Sequence, residues 1–239
     1  MSPTMSSLTI MPMTDIPEIT DSDVLAVVIA NSEVGSTLQE GDVVVVTQKI
    51  VSKAEGRMVP VDPLDPASRL AVIEAEAVRV LRRRGELLIT ETASGFVCAN
   101  AGVDLSNVDD GYAALLPVDA DRSARRIRDG LEARLGVRVG VIISDTFGRP
   151  WRNGVCDVAI GCAGIAGVVD LRGTRDANGR ELHATEVAVA DELAAAAELV
   201  MGKASGVPVA VIRGVEPSWL RDGSVAGEIV RRPTEDLFR

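Results

Sequence analysis

Apolar residues recur along the chain with two different periods, which predict both strands and helices. Short β-branched or apolar runs between glycines and polar residues are typical of buried strands. We expect strands at residues 42–48, 58–61, 86–91, 112–116, 137–144, 168–171 and 207–212, with 58–61 as a short neighbour of 42–48. Apolar positions three and four apart predict helices at residues 65–84, 119–135 and 185–201. The chain is expected to have a flexible tail at residues 1–9 and one catalytic unit at 10–239, with two subdomains left open.

A polar segment follows the predicted strand 137–144. Asp145 and Thr146 come directly after this strand, and ligand sites are common at the carboxyl ends of strands. The glycine-bounded loop 148–154 carries arginine and tryptophan, and loops that are costly to order are often functional. Asp104 and Asn107 lie in a second short segment. Because aspartate and threonine oxygens suit magnesium or manganese, the segments together predict a metal and phosphate site.

Simpler interpretations of these residues stay open. Asp145 and Thr146 could only cap a strand end, and residues 104–107 could form an ordinary turn. Lys49 and Lys53 could clamp phosphate or lie in the solvated first turn of a helix. Residues 172–176 could form a charged hairpin or contact the substrate.

Composition excludes several classes of function. The net charge is −10, the pI is near 4.7 and aromatic residues make up 3% of the chain, which argues against nucleic-acid and anionic-membrane binding. The three cysteines lack a Cys-x-x-Cys pair, so a zinc ribbon or disulfide framework is not expected. We see no signal peptide and no membrane span, and expect a cytoplasmic protein.

Common nucleotide and triad motifs are also missing. Neither a Walker A pattern nor a dinucleotide fingerprint occurs, so a bound nucleotide would need another scaffold. His183 is the only histidine, and a surface or hydrogen-bonded role is expected for it rather than one in a catalytic triad.

Three segments carry a more specific signal: AGVDLSN at residues 101–107, SDTFGRPWRNG at 144–154 and TEVAVADELA at 185–194. On these segments the chain resembles the coenzyme F420-0:L-glutamate ligases, also called F420 gamma-glutamyl ligases. The resemblance covers nearly the whole chain, including GDVVVVTQKIVSKAEG at residues 41–56 and PVAVIRG at 208–214.

The resemblance implies an enzyme that joins L-glutamate to the lactyl carboxylate of F420-0 through an acyl phosphate, converting GTP to GDP and phosphate. It also implies extension of a gamma-linked glutamate tail, two Mg²⁺ or Mn²⁺ sites and stimulation by K⁺. The implied fold class is α+β, with mixed sheets, flanking helices and a nucleotide site that is neither Rossmann nor P-loop. An intertwined homodimer is expected.

The resemblance also assigns residues to roles. It implies that Asp104 and Asp145 bind one divalent ion, that Thr146 binds a second, and that the two aspartates and Lys53 are catalytic. The implied nucleotide contacts are Ile16, Pro17, Glu18, Ile19, Gln48, Lys53 and Asn107, with residues 201–208 near the base. Gln48 replaces the small hydroxylic residue more usual in the family, although its amide can also donate a hydrogen bond. Arg149 and Arg152 are candidates for gripping the substrate phosphodiester or the glutamate carboxylates.

Two other functions remain alternatives from sequence: a metal-dependent phosphohydrolase and a non-catalytic GTP-binding regulatory module. The sequence leaves open the tail length, the preferred metal, the form of the deazaflavin acceptor, and the roles of Arg172, Arg175 and Lys203. Residues 233–239 resemble the junction at which some relatives continue into a flavin-reductase-like domain.

Overall fold

The computed structural model describes residues 7–106 and 111–236, which form a mixed α and β structure. The strands are β1 Thr9–Pro12, β2 Val43–Thr47, β3 Met58–Pro60, β4 Ala77–Arg84, β5 Leu87–Thr92, β6 Val97–Ala99, β7 Tyr112–Ala114, β8 Gly140–Gly148, β9 Val155–Ala163, β10 Val169–Asp170, β11 Glu186–Val187 and β12 Val209–Arg213. The α-helices are α1 Leu25–Asn31, α2 Gln48–Ala54, α3 Pro66–Glu76, α4 Ala120–Leu135, α5 Val189–Met201 and α6 Val225–Glu228. Several sheets with flanking helices confirm the expected α+β class.

A five-stranded sheet in the order β1-β12-β2-β8-β9 forms the centre of the fold. Only the β2–β8 pair is parallel, while the other neighbours are antiparallel. Both faces are covered: α1, α2 and α4 pack on one side and α5 and α6 on the other. This explains why Val43 to Val46 form a continuous apolar run, since all four valine side chains are buried.

Helix α4 is fixed at both ends by the residues that the sequence suggests. Asp119 caps its amino end by accepting a hydrogen bond from the backbone N–H of Arg122 at 2.8 Å. Gly136 ends it in the left-handed conformation, with φ of 70°. The helix packs closely on β9, because a Cβ atom at Gly161 would lie 2.3 Å from the backbone carbon of Ala120.

A second, smaller core lies away from the central sheet. It contains the β3–β7 pair, helix α3 and the three-stranded sheet β4-β5-β6. Ile73 and Leu88 are its most completely buried large side chains. This core supports Asp104, whose backbone bridges to Ala114 of β7 through two hydrogen bonds of 2.9 and 2.8 Å.

The structure corrects two expectations in this smaller core. The helix predicted at residues 65–84 ends at Glu76, and residues 77–84 form β4 instead. The cause is pairing with β5 across a turn at Gly85, where φ is 60°. Strand 58–61 exists as β3, but it pairs with β7 and not with the strand at 42–48.

Three further differences concern the central sheet. The strand expected at 137–144 begins at Gly140 and continues to Gly148, so Asp145 and Thr146 lie inside β8 and not after it. Residues 155–163 and 9–12 were not expected to be strands, and they form β9 and β1. The helix expected from residue 185 begins at Val189, with the short strand β11 before it. None of the helices in the described residues is long and apolar enough to cross a membrane.

Candidate functional site

The central sheet has an open edge where β2 ends before β8. The parallel pairing stops at Thr47 opposite Ser144, and α2 begins at the next residue, Gln48. Strand β8 continues to Gly148 and stays paired with β9 on its other side. In residues 7–106 and 111–236, no strand pairs with the β2-facing edge of residues 145–148, and we call this the open edge of β8. Unpaired backbone groups and side chains of both sheet faces meet there.

Asp145 lies on the face of β8 that carries α2 and α4. By strand alternation it shares this face with Val141 and Ile143, which pack in the same core cluster. Burial raises the pKa of Asp145 to about 7; the Asp104 and Asp157 carboxylates also raise it, whereas a backbone hydrogen bond and Lys203 oppose the rise. Asp104 is therefore an electrostatic neighbour of Asp145, although 41 positions separate them in the chain.

Asp104 is held by a lysine of α2 and by its own turn. Lys49 Nζ lies 2.9 Å from Asp104 Oδ2, and the backbone N–H of Ser106 donates to Oδ1 at 2.7 Å. Burial alone would raise the pKa of Asp104, but these hydrogen bonds and the charge of Lys49 lower it below its ordinary value. The turn before it is strained, because Asn100 and Ala101 have φ of 52° and 54°. Such strained backbone is common next to functional groups.

The opposite face of β8 carries a second polar cluster around Asp157 of β9. Ser144 Oγ donates to Asp157 Oδ2 at 3.0 Å, and Thr146 Oγ1 donates to Oδ1 at 2.5 Å. Lys203 Nζ, from the loop after α5, also donates to Oδ1 at 3.0 Å. Asp157 is 3% exposed. A divalent ion bound by Asp145 and one bound by Thr146 would therefore approach the open edge from different faces.

Two segments expected along the nucleotide meet at α2. Lys53 Nζ forms an ion pair with Glu18 Oε1, and the Lys53 side chain is largely buried. Within the same segment Ile19 is buried, Ile16 packs against the main core, and Pro17 is exposed. The chain thus brings residues 16–19 and Lys53 together.

Gln48 is buried beside Ser52, and one of its amide atoms has no partner among residues 7–106 and 111–236. Its Oε1 lies 2.9 Å from Ser52 Oγ, and Nε2 is the atom without a partner in this part of the chain. Ser52 has one proton and lies closer, at 2.6 Å, to the carbonyl oxygen of Leu115. Both contacts are satisfied if the amide is turned so that Nε2 donates to Ser52. The unpartnered atom is then a carbonyl oxygen, an acceptor where the sequence suggested a donor.

The arginines proposed to contact the substrate lie on the hairpin between β8 and β9. Arg149 Nη2 donates to the carbonyl oxygen of Asn153 at 2.6 Å, and Arg152 is exposed. Trp151 at the tip is 86% exposed and has φ of 59°, which is unusual for a non-glycine residue. Asn107, expected to contact GTP, lies outside the described residues.

The contacts of residues 172–176 favour the hairpin interpretation. Arg172 pairs with Asp170 at 2.6 Å and with Glu186 at 3.2 Å, which lie in the neighbouring strands β10 and β11. Arg175 donates to the carbonyl oxygen of Gly179 at 2.7 Å. His183 is an exposed side chain, as expected.

Sequence reasoning missed Asp157, and it left Lys203 without a role. Asp157 stands in the strand sequence VCDVAIGCA, where an acidic residue among apolar ones was the available signal. It carried no weight because the segment was not recognised as a strand. Lys203 could not be placed because its partner is 46 residues away.

The donor set fits a hard divalent ion that also takes ligands from elsewhere. Within residues 7–106 and 111–236, no three His, Cys, Asp or Glu side chains form a ready-made metal site. Magnesium is commonly bound by one or two carboxylates, with water and substrate phosphate completing the shell. Burial is the main cause of the raised pKa of Asp145, and the Asp104 and Asp157 carboxylates add to it, so a bound cation would favour the charged form of this side chain.

A large cavity lies at the other end of the sheet, away from the open edge of β8. It has a volume of about 660 Å³ and is lined by Asp42 and Arg213, at the amino end of β2 and the carboxyl end of β12. Arg213 donates two hydrogen bonds to the Asp42 carboxylate, from Nε at 2.9 Å and from Nη2 at 2.7 Å. Size alone does not identify the site, and we place it at the open edge because the coupled titratable groups are there.

Comparison with known proteins points to one family. The family model described as F420-0:Gamma-glutamyl ligase matches residues 14–214. A protein from Methanopyrus kandleri named coenzyme F420:L-glutamate ligase is 47% identical over 234 residues, which is 91% of this chain and 92% of that protein. A protein of the same name from Methanothermobacter thermautotrophicus is 43% identical over 228 residues, covering 89% of this chain and 90% of that protein.

Proposed function

The chain belongs to the F420-0:gamma-glutamyl ligase family, and we propose that it joins L-glutamate to the lactyl carboxylate of coenzyme F420-0 with GTP as the phosphoryl donor. The observation that carries the proposal is the open edge of β8, around which three carboxylates and two lysine ammonium groups are gathered. The carboxylates are Asp104, Asp145 and Asp157, and the lysines are Lys49 and Lys203. A protein with a net charge of −10 needs such local cationic groups to bind a nucleoside triphosphate.

A carboxylate is a poor electrophile at neutral pH, so the reaction needs activation. In the proposed mechanism, an oxygen of the lactyl carboxylate attacks the γ-phosphorus of GTP, and the bond from that phosphorus to the GDP oxygen breaks. The glutamate amine then attacks the acyl carbon, loses a proton and expels phosphate. No protein nucleophile is required, so the residues act by position and charge.

The side chains at the open edge have separate tasks in this proposal. Asp104 and Asp145 would hold one Mg²⁺ or Mn²⁺ ion and Thr146 a second, and these ions would offset the negative charge of the transferred phosphoryl group. Lys53, kept in place by Glu18, would hold phosphate oxygens beside residues 16–19. The unpartnered amide atom of Gln48 lies at the start of the same helix and would face a polar group of the nucleotide.

The first test combines the protein with GTP, L-glutamate, F420-0 and Mg²⁺ or Mn²⁺, followed by mass spectrometry of the deazaflavin. We expect one or more added glutamates and an equal amount of GDP. GTP hydrolysis that is equally fast without glutamate and F420-0 would show a phosphohydrolase. Tight GTP binding without turnover would show a regulatory module.

The matched variant is Asp145→Ala, which removes one carboxylate from the open edge. We expect glutamate addition to fall at least 100-fold with the fold retained, because a partly buried ligand carboxylate contributes little packing energy. An exposed carboxylate elsewhere, Asp21→Ala, is the control and should keep wild-type turnover. Near-normal turnover of Asp145→Ala would remove this residue from the catalytic site.

We also propose a homodimer and stimulation by K⁺. Light scattering of the purified chain, of 25.1 kDa, would then give about twice that mass. Replacing K⁺ by Na⁺ at constant ionic strength would lower the rate of glutamate addition.

A further inference from the structure

Asp157 lies at the centre of a hydrogen-bond cluster, and the proposed mechanism gives this carboxylate no task of its own. Its carboxylate is buried and accepts from Ser144, Thr146 and Lys203. Carboxylates also serve as plain anchors in this fold. The partly buried Asp191, for example, accepts from the backbone N–H of Ala159 at 2.9 Å. What distinguishes Asp157 is that all three of its donors are side chains next to the open edge of β8.

The position of Asp157 fixes the direction of the Thr146 hydroxyl proton. The two residues face each other in the β8–β9 ladder, and their oxygens are 2.5 Å apart. A threonine hydroxyl has one proton and two lone pairs. With the proton directed toward β9, the lone pairs lie on the side away from β9. That side is the open edge, because β2 has already ended at Thr47.

A hydroxyl can bind a cation only through a lone pair, so its proton needs another acceptor. Groups that hold the protons of metal ligands orient those ligands and raise their basicity, and their loss typically lowers metal affinity 10- to 100-fold. The carboxylate also has a fixed position, since Ser144 and Lys203 bind it from two other directions. Its orientation therefore does not depend on Thr146 alone.

We propose that Asp157 is a positioning residue, which holds the Thr146 hydroxyl proton so that its oxygen faces a divalent cation at the open edge of β8. This inference rests on the cation site of the proposed function. It adds a residue that acts through another and does not itself touch the cation or the nucleotide.

The test is a double-mutant cycle with Mn²⁺ alone as the probe, measured by calorimetry or by the paramagnetic resonance of free Mn²⁺. We expect Asp157→Asn and Thr146→Val each to weaken Mn²⁺ binding 10- to 100-fold. The Mn²⁺ affinity of the double variant should be no more than about threefold below that of the single variant that binds Mn²⁺ less tightly. Both changes remove the same oriented oxygen, so their effects should not multiply. Thr146→Ser keeps the hydroxyl and should stay within about threefold of wild type.

Two controls separate positioning from a structural role. Ser144→Ala removes another donor to the same carboxylate, and Asp191→Asn changes a partly buried carboxylate that anchors β9. Both should keep Mn²⁺ affinity within about threefold, whatever their effect on the melting temperature. If Asp157→Asn lowers the melting temperature but leaves Mn²⁺ affinity unchanged, Asp157 is only an anchor and the proposal is wrong.

The remaining outcomes also decide the matter. If the losses of Mn²⁺ affinity in the two single variants multiply in the double variant, Asp157 does not act through Thr146. If Asp157→Asn does not fold, unchanged Mn²⁺ affinity in Thr146→Val overturns the proposal, and a 10-fold loss that Thr146→Ser does not share supports it. Wild-type protein that binds Mn²⁺ but adds no glutamate would refute the proposed function alone. If the wild-type protein is an active ligase but the losses of Mn²⁺ affinity multiply, only the role of Asp157 is refuted.

Discussion

At the scale of single residues, the site combines carboxylates that would repel one another without a counter-ion. Asp145 is the clearest case, because burial and two neighbouring carboxylates raise its pKa to about 7. An unfolded chain has no such environment, and there the carboxyl group has its ordinary pKa of 3.8. The difference links the stability of the protein to pH.

The sign of this linkage gives a prediction for Asp145→Asn. Between pH 4 and 7 the folded protein keeps a proton that the unfolded chain releases, so the stabilising effect is complete below pH 3.8 and is lost as the pH rises toward 7. From pH 5 to pH 8 in EDTA, the free energy of unfolding of wild type should fall by about 2 kcal/mol more than that of the variant. Urea unfolding at both pH values measures this, and parallel pH dependences would contradict it.

At the scale of elements, glycines explain why strand β9 was not predicted and why helix α4 packs so closely on it. Residues 148–167 hold five glycines, which made β9 resemble a loop. Gly154 and Gly164 flank the strand with φ of 83° and 70°, whereas Gly161 lies inside it because α4 leaves no room for a side chain. Strand β9 could therefore be identified only from its tertiary contacts, and the position of Asp157 only from the strand.

The same packing predicts different costs for two glycine substitutions. Gly161→Ala would bring a Cβ atom to 2.3 Å from the backbone of Ala120, so the helix or the strand must move. We expect a loss of about 1–3 kcal/mol in the free energy of unfolding. Gly148→Ala is the matched control at the end of β8, where nothing lies within 4 Å. It should change stability by less than about 0.5 kcal/mol in urea titrations.

Other elements were predictable because local chemistry determined them. Helix α4 was predicted almost to the residue, since Asp119 and Gly136 mark its ends regardless of the rest of the fold. The β-branched run of β2 was equally clear. By contrast, residues 77–84 fit both a helical and an alternating period, and only pairing with β5 selects the strand.

At the scale of the whole molecule, the two cores meet the site from different directions. The smaller core supports Asp104, while the central sheet carries Asp145, Thr146 and Asp157. Sequence motifs identified the first three residues as candidates, but their proximity depends on how β7, α2 and β8 pack. Lysine partners such as Lys49 and Lys203 follow from that packing and from no local pattern.

A ligand that binds the assembled site should stabilise the entire fold. At 100 times its dissociation constant, a ligand adds about 2.7 kcal/mol to the free energy of unfolding. For a chain of 239 residues we expect the melting temperature to rise by about 5–10 °C with GDP and Mn²⁺. Scanning calorimetry measures the shift. GDP without Mn²⁺ should give a smaller shift in melting temperature, because the protein carries a net charge of −10. Equal shifts with and without Mn²⁺ would contradict the role of the cation.

The early end of β2 also affects how the backbone of β8 exchanges its amide hydrogens. Beyond Ser144, amides of β8 that point toward β9 are in the ladder. Those on the other edge pair with no strand of the described part of the chain, so no ladder slows their exchange with deuterium. A nucleotide and cation bound against this edge would exclude water from it. Residues 145–148 are therefore a built-in reporter of occupancy, and their exchange rates can follow binding without any label or any turnover.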